Sequence, residues 1–472
     1  MNPVRQLFLD AIPLDLFAIN LPELRYLYIP NAHFRALHPD NMLVEGIRGA
    51  GKSLWWSALQ DKAHRELIAA VLPRTQLSKV DCSAGFGTRK SLSYPSSMVL
   101  QQLQEQFNTF DIWYSIVAWN LLSSEIDMPD TWGKRIAWIQ ANLEHIESSL
   151  LRKDRELQAQ DKIQLVLFDA LDRAAQDWQA LRNLLKGLLR LLLEFRAYRA
   201  IRLKAFIRPD MLEDKTVLAF PDSSKIIQNK VSLEWQRADL YSLLWHYLGN
   251  EPQQGKKFRD SCQKYFGQNW QEPRPDIWQA PDAMRADEAL QRKIFHALAG
   301  EWMGRDARRG FPYTWLPNHL GDSYAKVSPR SFLAALRVAA SDDLRKEQKY
   351  PLHYEAIKKG VQQASSIRVD ELREDYPWVG ELLNPLKGIT LPCEFCLITE
   401  YWRIQDSLSK LTQTGEDARR LPARLDEGNE GVKQDLVELG IFQEKRDGRI
   451  DMPDVYRVGY GLGRRGGIKP VR

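Results

Sequence analysis

A glycine-rich segment near the amino terminus carries the residue types best suited to chemistry. Residues 42–53 read MLVEGIRGAGKS, an apolar run that leads into the pattern Gly46-x-x-x-x-Gly51-Lys52-Ser53. This spacing is typical of a triphosphate-binding loop, because backbone N–H groups at a helix start can surround phosphate oxygens only where no side chain intrudes. The lysine supplies a positive charge to the β and γ phosphates, and the serine supplies an oxygen ligand to Mg²⁺. The pattern therefore predicts ATP and Mg²⁺ as ligands.

The flanking residues fit the strand and the helix that such a loop requires. Residues 42–44 are apolar and precede the loop, and residues 53–59 (SLWWSAL) follow it with helical spacing. The alternative is a glycine-rich turn between two core elements, which gives no reason for a lysine directly after the last glycine. The predicted nucleotide-binding residues are Gly46, Ile47, Arg48, Gly49, Ala50, Gly51, Lys52, Ser53 and Leu54.

Two acidic residues follow a second apolar run. Residues 163–168 (IQLVLF) are apolar apart from one residue, as expected for a strand buried on both faces of a parallel sheet. We expect this strand to neighbour the strand before the loop, so that Asp169 binds Mg²⁺ together with Ser53. Asp172 is predicted to orient or polarise the attacking water. The alternatives are a turn residue for Asp169 and a helix cap for Asp172.

Arginines are the third group of candidates, because a guanidinium stabilises the charge that spreads over γ-phosphate oxygens during transfer. Arg208 follows the short strand 202–207 and is predicted to contact the γ-phosphate from the sheet edge. Arg330 opens a helix after Ser328-Pro329 and is predicted to couple a helical domain to nucleotide state. Arg173 is a weaker candidate, and each of the three has an ion pair as its alternative role. The predicted catalytic residues are Lys52, Asp172, Arg208 and Arg330.

Patterning along the chain predicts three domains. Residues 1–235 are predicted to form an α/β P-loop core with a parallel sheet, flanking helices and an N-terminal segment. Within this core we expect strands at 78–82, 163–168 and 202–207, a loop at 83–87 and a helix at 178–198. Residues 236–390 form an all-α, lid-like domain, in which 249–267 and 269–282 are expected to be loops. Residues 391–472 suggest a winged-helix-like module, because a helix ends at Gly440 and a turn at 446–449 precedes a short strand.

The composition limits the ligands and the cellular compartment that the chain fits. The chain has 472 residues, 44% hydrophobic and 27% charged, and a net charge of +5, which is too small to argue for nucleic acid by itself. Residues 443–472 hold eight basic and four acidic residues, so this tail is a candidate DNA surface. Four scattered cysteines and the lack of a signal peptide or a membrane-length apolar run predict a cytoplasmic protein without a membrane partner.

The segment Phe168-Asp169-Ala170-Leu171-Asp172-Arg173 resembles the Asp-x-x-Asp motif of STAND ATPases of the NACHT type. It is also similar to the Asp-Asp-Leu-Asp-Arg motif of KAP-family ATPases, from which Ala170 departs. Residues 208–210 and 328–330 resemble the sensor elements of the same broad, AAA+-like group. The resemblance covers residues 25–340 and implies an ATP-driven switch that forms homo-oligomers and signals to a protein effector. Many bacterial members of this group act against phages or foreign DNA.

Two functions of different classes follow from these patterns. The first is an ATP-hydrolysing switch whose helical region and C-terminal module relay the nucleotide state to a partner. The second is a DNA-binding or DNA-loading ATPase that uses the winged helix and the basic tail. A GTPase is disfavoured because Asn229-Lys230-Val231-Ser232 lacks the final acid of a guanine-binding motif.

Overall fold

The computed structural model describes residues 3–15, 21–175, 178–213, 216–342, 349–413 and 421–470. The chain divides into two compact units. The core unit comprises residues 19–24 and 29–234, and the C-terminal unit comprises residues 1–18, 25–28 and 235–472. The N-terminal helix thus belongs to the C-terminal unit, whereas the sequence analysis grouped it with the core. The division of the C-terminal unit at residue 390 stays a prediction.

The secondary structure elements of the described residues are numbered in chain order. The strands are β1 (Leu43–Glu45), β2 (Val80–Phe86), β3 (Ile163–Phe168), β4 (Ile201–Ile207), β5 (Val231–Ser232), β6 (Gln271–Arg274), β7 (Ile277–Gln279), β8 (Thr390–Leu391), β9 (Gln443–Glu444), β10 (Ile450–Asp451) and β11 (Gly463–Arg464). The helices are α1 (Pro3–Ala11), α2 (Phe34–Leu37), α3 (Lys52–Gln60), α4 (Lys62–Val71), α5 (Ser97–Gln104), α6 (Thr109–Leu122), α7 (Trp132–Ala141), α8 (Leu143–Ala159), α9 (Trp178–Glu194), α10 (Asp210–Glu213), α11 (Ser223–Ile227), α12 (Arg237–Asn250), α13 (Gly255–Phe266), α14 (Asp282–Ala286), α15 (Glu288–Ala299), α16 (Pro312–Asn318), α17 (Pro329–Ser341), α18 (Tyr354–Asp375), α19 (Pro377–Leu383), α20 (Phe395–Ile404), α21 (Ser407–Gln413), α22 (Gly428–Glu438) and α23 (Asp454–Arg457). None of these helices is long and apolar enough to cross a bilayer.

The core unit is built on a five-stranded parallel sheet in the order β2-β3-β4-β1-β5. Flanking helices cover it, so the predicted α/β P-loop core is confirmed. The unit β3-α9-β4 is a strand, a crossover helix and a neighbouring parallel strand, as expected. The expected adjacency of β3 and β1 is wrong, because β4 lies between them and pairs with both. All three strands still end at one edge of the sheet, because parallel strands run in the same direction.

Strand β2 is longer than the sequence suggested. It continues through residues 83–86, which were expected to form a loop because of their serine and glycine content. The glycines mark close packing instead: a Cβ at Gly85 would lie 2.5 Å from the Phe168 ring, and one at Gly87 would lie 2.2 Å from the Trp56 ring. Small residues therefore let the sheet and α3 approach β2.

Buried charges fix the central strand β4. The Asp154 carboxylate accepts the backbone N–H of Ala200 at 2.7 Å and that of Ile201 at 3.1 Å, where β4 begins. Within the strand, Lys204 is fully buried and its Nζ donates to the carbonyls of Ala36 and His38 at 2.8 and 2.9 Å. Burial lowers the pKa of Lys204 to about 7. These contacts anchor both the start and the middle of the strand that leads to Arg208.

The C-terminal unit is mostly helical, with α17 and α18 packed closely at Gly360. The two loop predictions in this unit are wrong. Helix α13 covers 255–266, and β6 and β7 form an antiparallel hairpin within 271–279. Helices α20 to α22 are followed by the antiparallel hairpin β9-β10, whose β10 also bridges Cys393. This helix-then-hairpin arrangement confirms the winged-helix-like module.

The contact between α17 and α18 gives a test of the packing. A Cβ at Gly360 would lie 2.1 Å from the Ala335 carbonyl oxygen, a backbone atom that cannot move without displacing α17. We expect Gly360→Ala to lower the free energy of unfolding by about 3 kcal/mol, at the upper end of overpacking costs. In Gly380→Ala, whose new Cβ would lie 3.5 Å from the nearest side-chain atom, the change should stay within about 1 kcal/mol. Urea denaturation compares the two variants, and equal stabilities would contradict the packing described here.

Candidate nucleotide-binding site

The glycine-rich segment forms the loop between β1 and α3. Gly49 and Gly51 have φ values of 78° and 105°, in the left-handed region that favours glycine. At Gly46 a Cβ would lie 3.3 Å from the side chains of Ala50 and Leu233, so a larger residue would crowd the loop. The N–H groups of the first turn of α3 have no partner within the helix. The loop and the helix start therefore form a concave set of donors that suits phosphate oxygens.

Lys52 folds back across this loop. Its Nζ donates to the Gly46 carbonyl at 2.7 Å and to the Ile47 carbonyl at 3.1 Å. Burial lowers the pKa of Lys52 to about 8, and the charge of Asp169 opposes part of that shift. The ammonium group is thus held inside the loop by two carbonyl oxygens, which phosphate oxygens can replace as stronger acceptors.

Asp169 lies directly after β3 and is only 1% exposed. Its backbone N–H donates to the Phe86 carbonyl at 3.0 Å, which ties it to the end of β2. Burial raises the pKa of the Asp169 carboxyl, and a hydrogen bond from Ser53 partly opposes the shift. The Oδ2 atom is buried and has no hydrogen-bond partner among the described residues. A buried carboxylate oxygen beside a serine hydroxyl fits the oxygen ligands that Mg²⁺ prefers.

The backbone turns sharply after Asp169. Ala170 has a φ of 54°, a left-handed conformation that is uncommon for a residue with a Cβ. The following 3-10 turn, Leu171–Arg173, places Asp172 near the end of β4. Backbone strain of this kind is concentrated at functional sites, where the surrounding structure holds it in place.

Arg208 connects the acidic residues at this edge. Its Nη1 lies 3.7 Å from Asp172 Oδ2, and its Nη2 donates to Asp210 Oδ2 at 3.0 Å. Asp210 was not among the predicted site residues. The signal that would have found it is its place two residues after Arg208, where a short side chain at the strand end can orient the guanidinium. The Arg208 side chain is 8% exposed, so its charge acts in a poorly solvated setting.

These charges form one cluster. Burial has the largest effect on the pKa of Lys52. The next largest effects, in order of size, come from the charges of Asp169, Arg208, Asp172 and Asp210. Two cations and three carboxylates therefore interact at the carboxyl edge of β3 and β4. With every group ionised the cluster carries one net negative charge, which favours a divalent cation.

The remaining predicted residues lie in different places. Ile47, Arg48 and Ala50 lie along the loop and Leu54 lies in the first turn of α3, as expected. Arg173 is exposed at the end of the 3-10 turn. Arg330 belongs to the C-terminal unit, where its Nη1 donates to Glu371 Oε1 at 2.6 Å. The catalytic roles assigned from the sequence stay predictions.

A histidine that the sequence analysis did not consider links the loop helix to the end of the core unit. Trp55 Nε1 on α3 donates to His33 Nδ1 at 3.2 Å, and His33 Nε2 lies 3.1 Å from the Glu234 carbonyl oxygen. Because an indole N–H only donates and a carbonyl only accepts, His33 is neutral with its proton on Nε2. Burial lowers the pKa of His33 to about 4. No motif around residue 33 signals this chain of hydrogen bonds.

The buried histidine predicts a pH dependence of stability. In the unfolded chain His33 titrates near its ordinary pKa of about 6.5, whereas the folded core keeps it neutral down to about pH 4. Protons therefore bind preferentially to the unfolded state in this window, and stability falls as the pH is lowered from 6.5 to 4. The loss reaches about 3 kcal/mol.

His33→Gln removes this titration. We expect the variant to be less stable than the parent protein at pH 7, and the gap to narrow by about 3 kcal/mol at pH 4. Urea denaturation followed by tryptophan fluorescence measures the gap. The exposed His145→Gln is the matched control and should leave the parent's pH dependence unchanged. Parallel curves for His33→Gln and the parent would show that His33 is not held neutral.

Comparisons with known proteins return only distant similarities. No protein-family profile matches the sequence, and no curated protein matches it. Among solved structures, the chain is similar to Cdc6p from Pyrobaculum aerophilum, at 11% identity over 93% of this chain and 95% of that chain, with a TM-score of 0.30. It is also similar to the Aeropyrum pernix ORC2 protein, solved as ADPNP-ADP complexes, at 12% identity over 94% and 93% of the two chains, with a TM-score of 0.32. Similarity at these TM-scores carries no argument, so the fold and the site rest on the geometry of this chain.

Proposed function

We propose that the protein binds ATP with Mg²⁺ and hydrolyses it, and that it acts as a nucleotide-dependent switch. The observation that carries this proposal is the charged cluster beside the glycine-rich loop. Lys52 reaches the cluster from α3, Asp169 and Asp172 follow β3, and Arg208 follows β4. A structural ion-pair network explains neither the glycine conformations of the loop nor the partnerless oxygen of Asp169.

Each residue has a distinct task in the proposed reaction. Backbone N–H groups of the loop and of residues 52–54 bind the phosphates, and Lys52 exchanges two carbonyl oxygens for the β- and γ-phosphate oxygens. Ser53 and Asp169 hold Mg²⁺, which neutralises charge on the phosphate oxygens when it is bound. Asp172 orients the attacking water.

Arg208 supplies the charge that the departing γ-phosphoryl group needs. Its guanidinium lies between Asp172 and Asp210, so it is already oriented toward the edge of the sheet before a nucleotide arrives. Pre-oriented charge requires no reorganisation during the reaction, which is the main source of electrostatic catalysis. Asp210 is a positioning residue in this scheme, because it acts through Arg208.

The loop after β2 is the proposed output of the switch. Phe86, whose carbonyl accepts the Asp169 N–H, ends β2 and directly precedes the segment 87–96. Leu92 in this segment is 91% exposed and Met98 just beyond it is 80% exposed. Apolar side chains exposed to this extent suit a contact with another protein. We propose that this surface contacts a protein effector or a neighbouring copy in a homo-oligomer. The resemblance of residues 168–173 to the STAND motif supports a role in defence against phages or foreign DNA.

The alternative function, DNA binding through the basic tail, has less support. Lys445 and Arg464 pair with Asp451, Arg449 pairs with Asp447, and the buried Arg457 pairs with Asp454. Half of the tail's basic residues therefore stabilise the module internally. Three exposed acidic residues lie just before α22 or in its first turn: Asp426, Glu427 and Glu430.

The first test removes the lysine charge. We expect Lys52→Ala to weaken ATP binding about a hundredfold or more, because two or more charge-assisted hydrogen bonds to phosphate are lost. The matched control is Lys62→Ala, an exposed lysine on α4, which should bind ATP like the parent protein. Titration with a fluorescent ATP analogue measures both affinities. Undiminished binding and turnover in Lys52→Ala would overturn the ATPase assignment.

The second test separates binding from hydrolysis. Asp172→Asn keeps the shape of the side chain but removes its negative charge, so ATP affinity should stay within about threefold while the hydrolysis rate falls about a hundredfold. Single-turnover release of phosphate measures the rate. An unchanged rate with a lowered melting temperature would return Asp172 to a helix-capping role.

A further inference from the structure

An arginine-rich loop connects α15 and α16 in the C-terminal unit. Residues 303–310 read MGRDARRG and form a closed turn, in which the Met303 N–H donates to the Gly310 carbonyl at 2.9 Å. Asp306 Oδ1 accepts the Arg308 N–H at 3.0 Å, which stabilises the turn from inside. Residues 303–310, called the arginine loop below, therefore present their side chains from a well-defined backbone.

The arginine loop carries three exposed guanidinium groups, those of Arg305, Arg308 and Arg309. Arg305 and Arg309 form no side-chain hydrogen bond or ion pair with any residue in the described parts of the chain. The Arg308 side chain is 92% exposed, and its Nε lies 4.0 Å from Asp306 Oδ1, a separation at which a surface ion pair contributes little. The loop thus presents three guanidinium groups that the carboxylates of the described residues pair with weakly or not at all.

Lys358 on α18 is a further cation that is affected by the arginine loop, and its Nζ lies 5.1 Å from the centroid of the Tyr354 ring. Arg309 lies close enough to Lys358 to lower the pKa of that amine, after the larger effect of burial, and no carboxylate of the described residues opposes the shift. Like charges held together in this way repel each other. An anion bound at the arginine loop would offset the effect of Arg309 on Lys358.

The Phe311 ring directly after the loop is already covered by other side chains. The Arg292 guanidinium carbon lies 3.4 Å from the centroid of the Phe311 ring, and the Trp302 ring packs on the same residue with centroids 4.8 Å apart. Proteins that bind single strands stack bases on open aromatic faces. The Phe311 ring is not available for stacking, and this favours contact with the backbone of a duplex.

We propose that the arginine loop binds the phosphate backbone of double-stranded DNA without reading its sequence. Guanidinium groups are permanently charged and match the geometry of phosphate oxygens. Backbone contacts of this kind position a protein on DNA and carry no base information. The arginine loop is formed by residues outside the tail 443–472 and outside the proposed nucleotide site, so the proposal does not depend on the ATPase activity.

The test measures duplex binding by the full chain without nucleotide. The parent protein, the triple variant Arg305→Ala/Arg308→Ala/Arg309→Ala and a charge-matched tail variant, Arg446→Ala/Arg449→Ala/Arg465→Ala, are titrated against a fluorescent random-sequence duplex at several salt concentrations. We expect the loop variant to bind at least about tenfold more weakly and its log–log salt slope to fall by about 3, one unit for each lost phosphate contact. The tail variant should keep most of the affinity and slope.

Two further measurements keep the result interpretable. The variant Arg305→Lys/Arg308→Lys/Arg309→Lys retains the charge and should retain most of the binding and salt slope, and equal melting temperatures exclude misfolding of the alanine variant. Polyglutamate of equal total charge is the competitor for an acidic protein partner. Unchanged binding in the loop variant, loss confined to the tail variant, no duplex binding by the parent protein, or competition by polyglutamate equal to that by DNA would each overturn the proposal.

Discussion

The parallel pairing of β4 with both β1 and β3 is the constraint on which the site depends. Ala205 is the Cα partner of Leu43 on one side and of Phe168 on the other, so this register aligns the ends of three strands that are far apart in sequence. The glycine-rich loop, Asp169 and Arg208 each begin within a few residues of that line. A shift of one residue in either pairing would turn β4 side chains to the opposite face of the sheet.

Such a register needs anchors, and the core unit supplies them as buried charges. Asp154 fixes the start of β4 and Lys204 fixes its middle, each through hydrogen bonds to backbone atoms rather than through an ion pair. Backbone partners satisfy a buried charge only when the surrounding chain holds its carbonyl and N–H groups in place. The same buried groups therefore restrict how α2, β4 and the segment after α9 can move relative to each other.

The sequence was sufficient where one local pattern carries the information. The loop glycines, the apolar run before Asp169 and the leucine spacing of α9 each predicted their element, because backbone conformation or burial on both faces limits residue choice at those positions. The sequence was insufficient where a residue's type is explained by contacts with distant parts of the fold. Gly85 and Gly87 suggested a loop but allow close packing. The loop predicted over α13 reflects its polar composition, although its buried residues Gly255, Phe258 and Cys262 recur at helical spacing.

The site residues divide in the same way. Lys52, Ser53 and Asp169 follow from motifs, whereas His33 is visible only through its partner, the indole of Trp55 on another element. Asp210 has a sequence signal in its place two residues after Arg208, but its role is shown only by the hydrogen bond between the two side chains. The order of the strands was also hidden, because β1, β3 and β4 are each apolar and a pattern of buried strands does not specify which of them lies in the middle of the sheet.

In this protein, whether a basic side chain is paired with a carboxylate indicates its role better than the density of basic residues around it in the sequence. The tail has a high density of basic residues, yet Arg457 and Arg464 are neutralised by the aspartates of the same module. The arginine loop has a smaller excess of charge, but its cations have no such partners in the described residues, and one of them lies near a lysine. In the core, Arg208 is an intermediate case, paired with carboxylates but enclosed beside a phosphate-binding loop. Because a protein gains little from holding cations together without anions, such arrangements indicate where a ligand completes the structure.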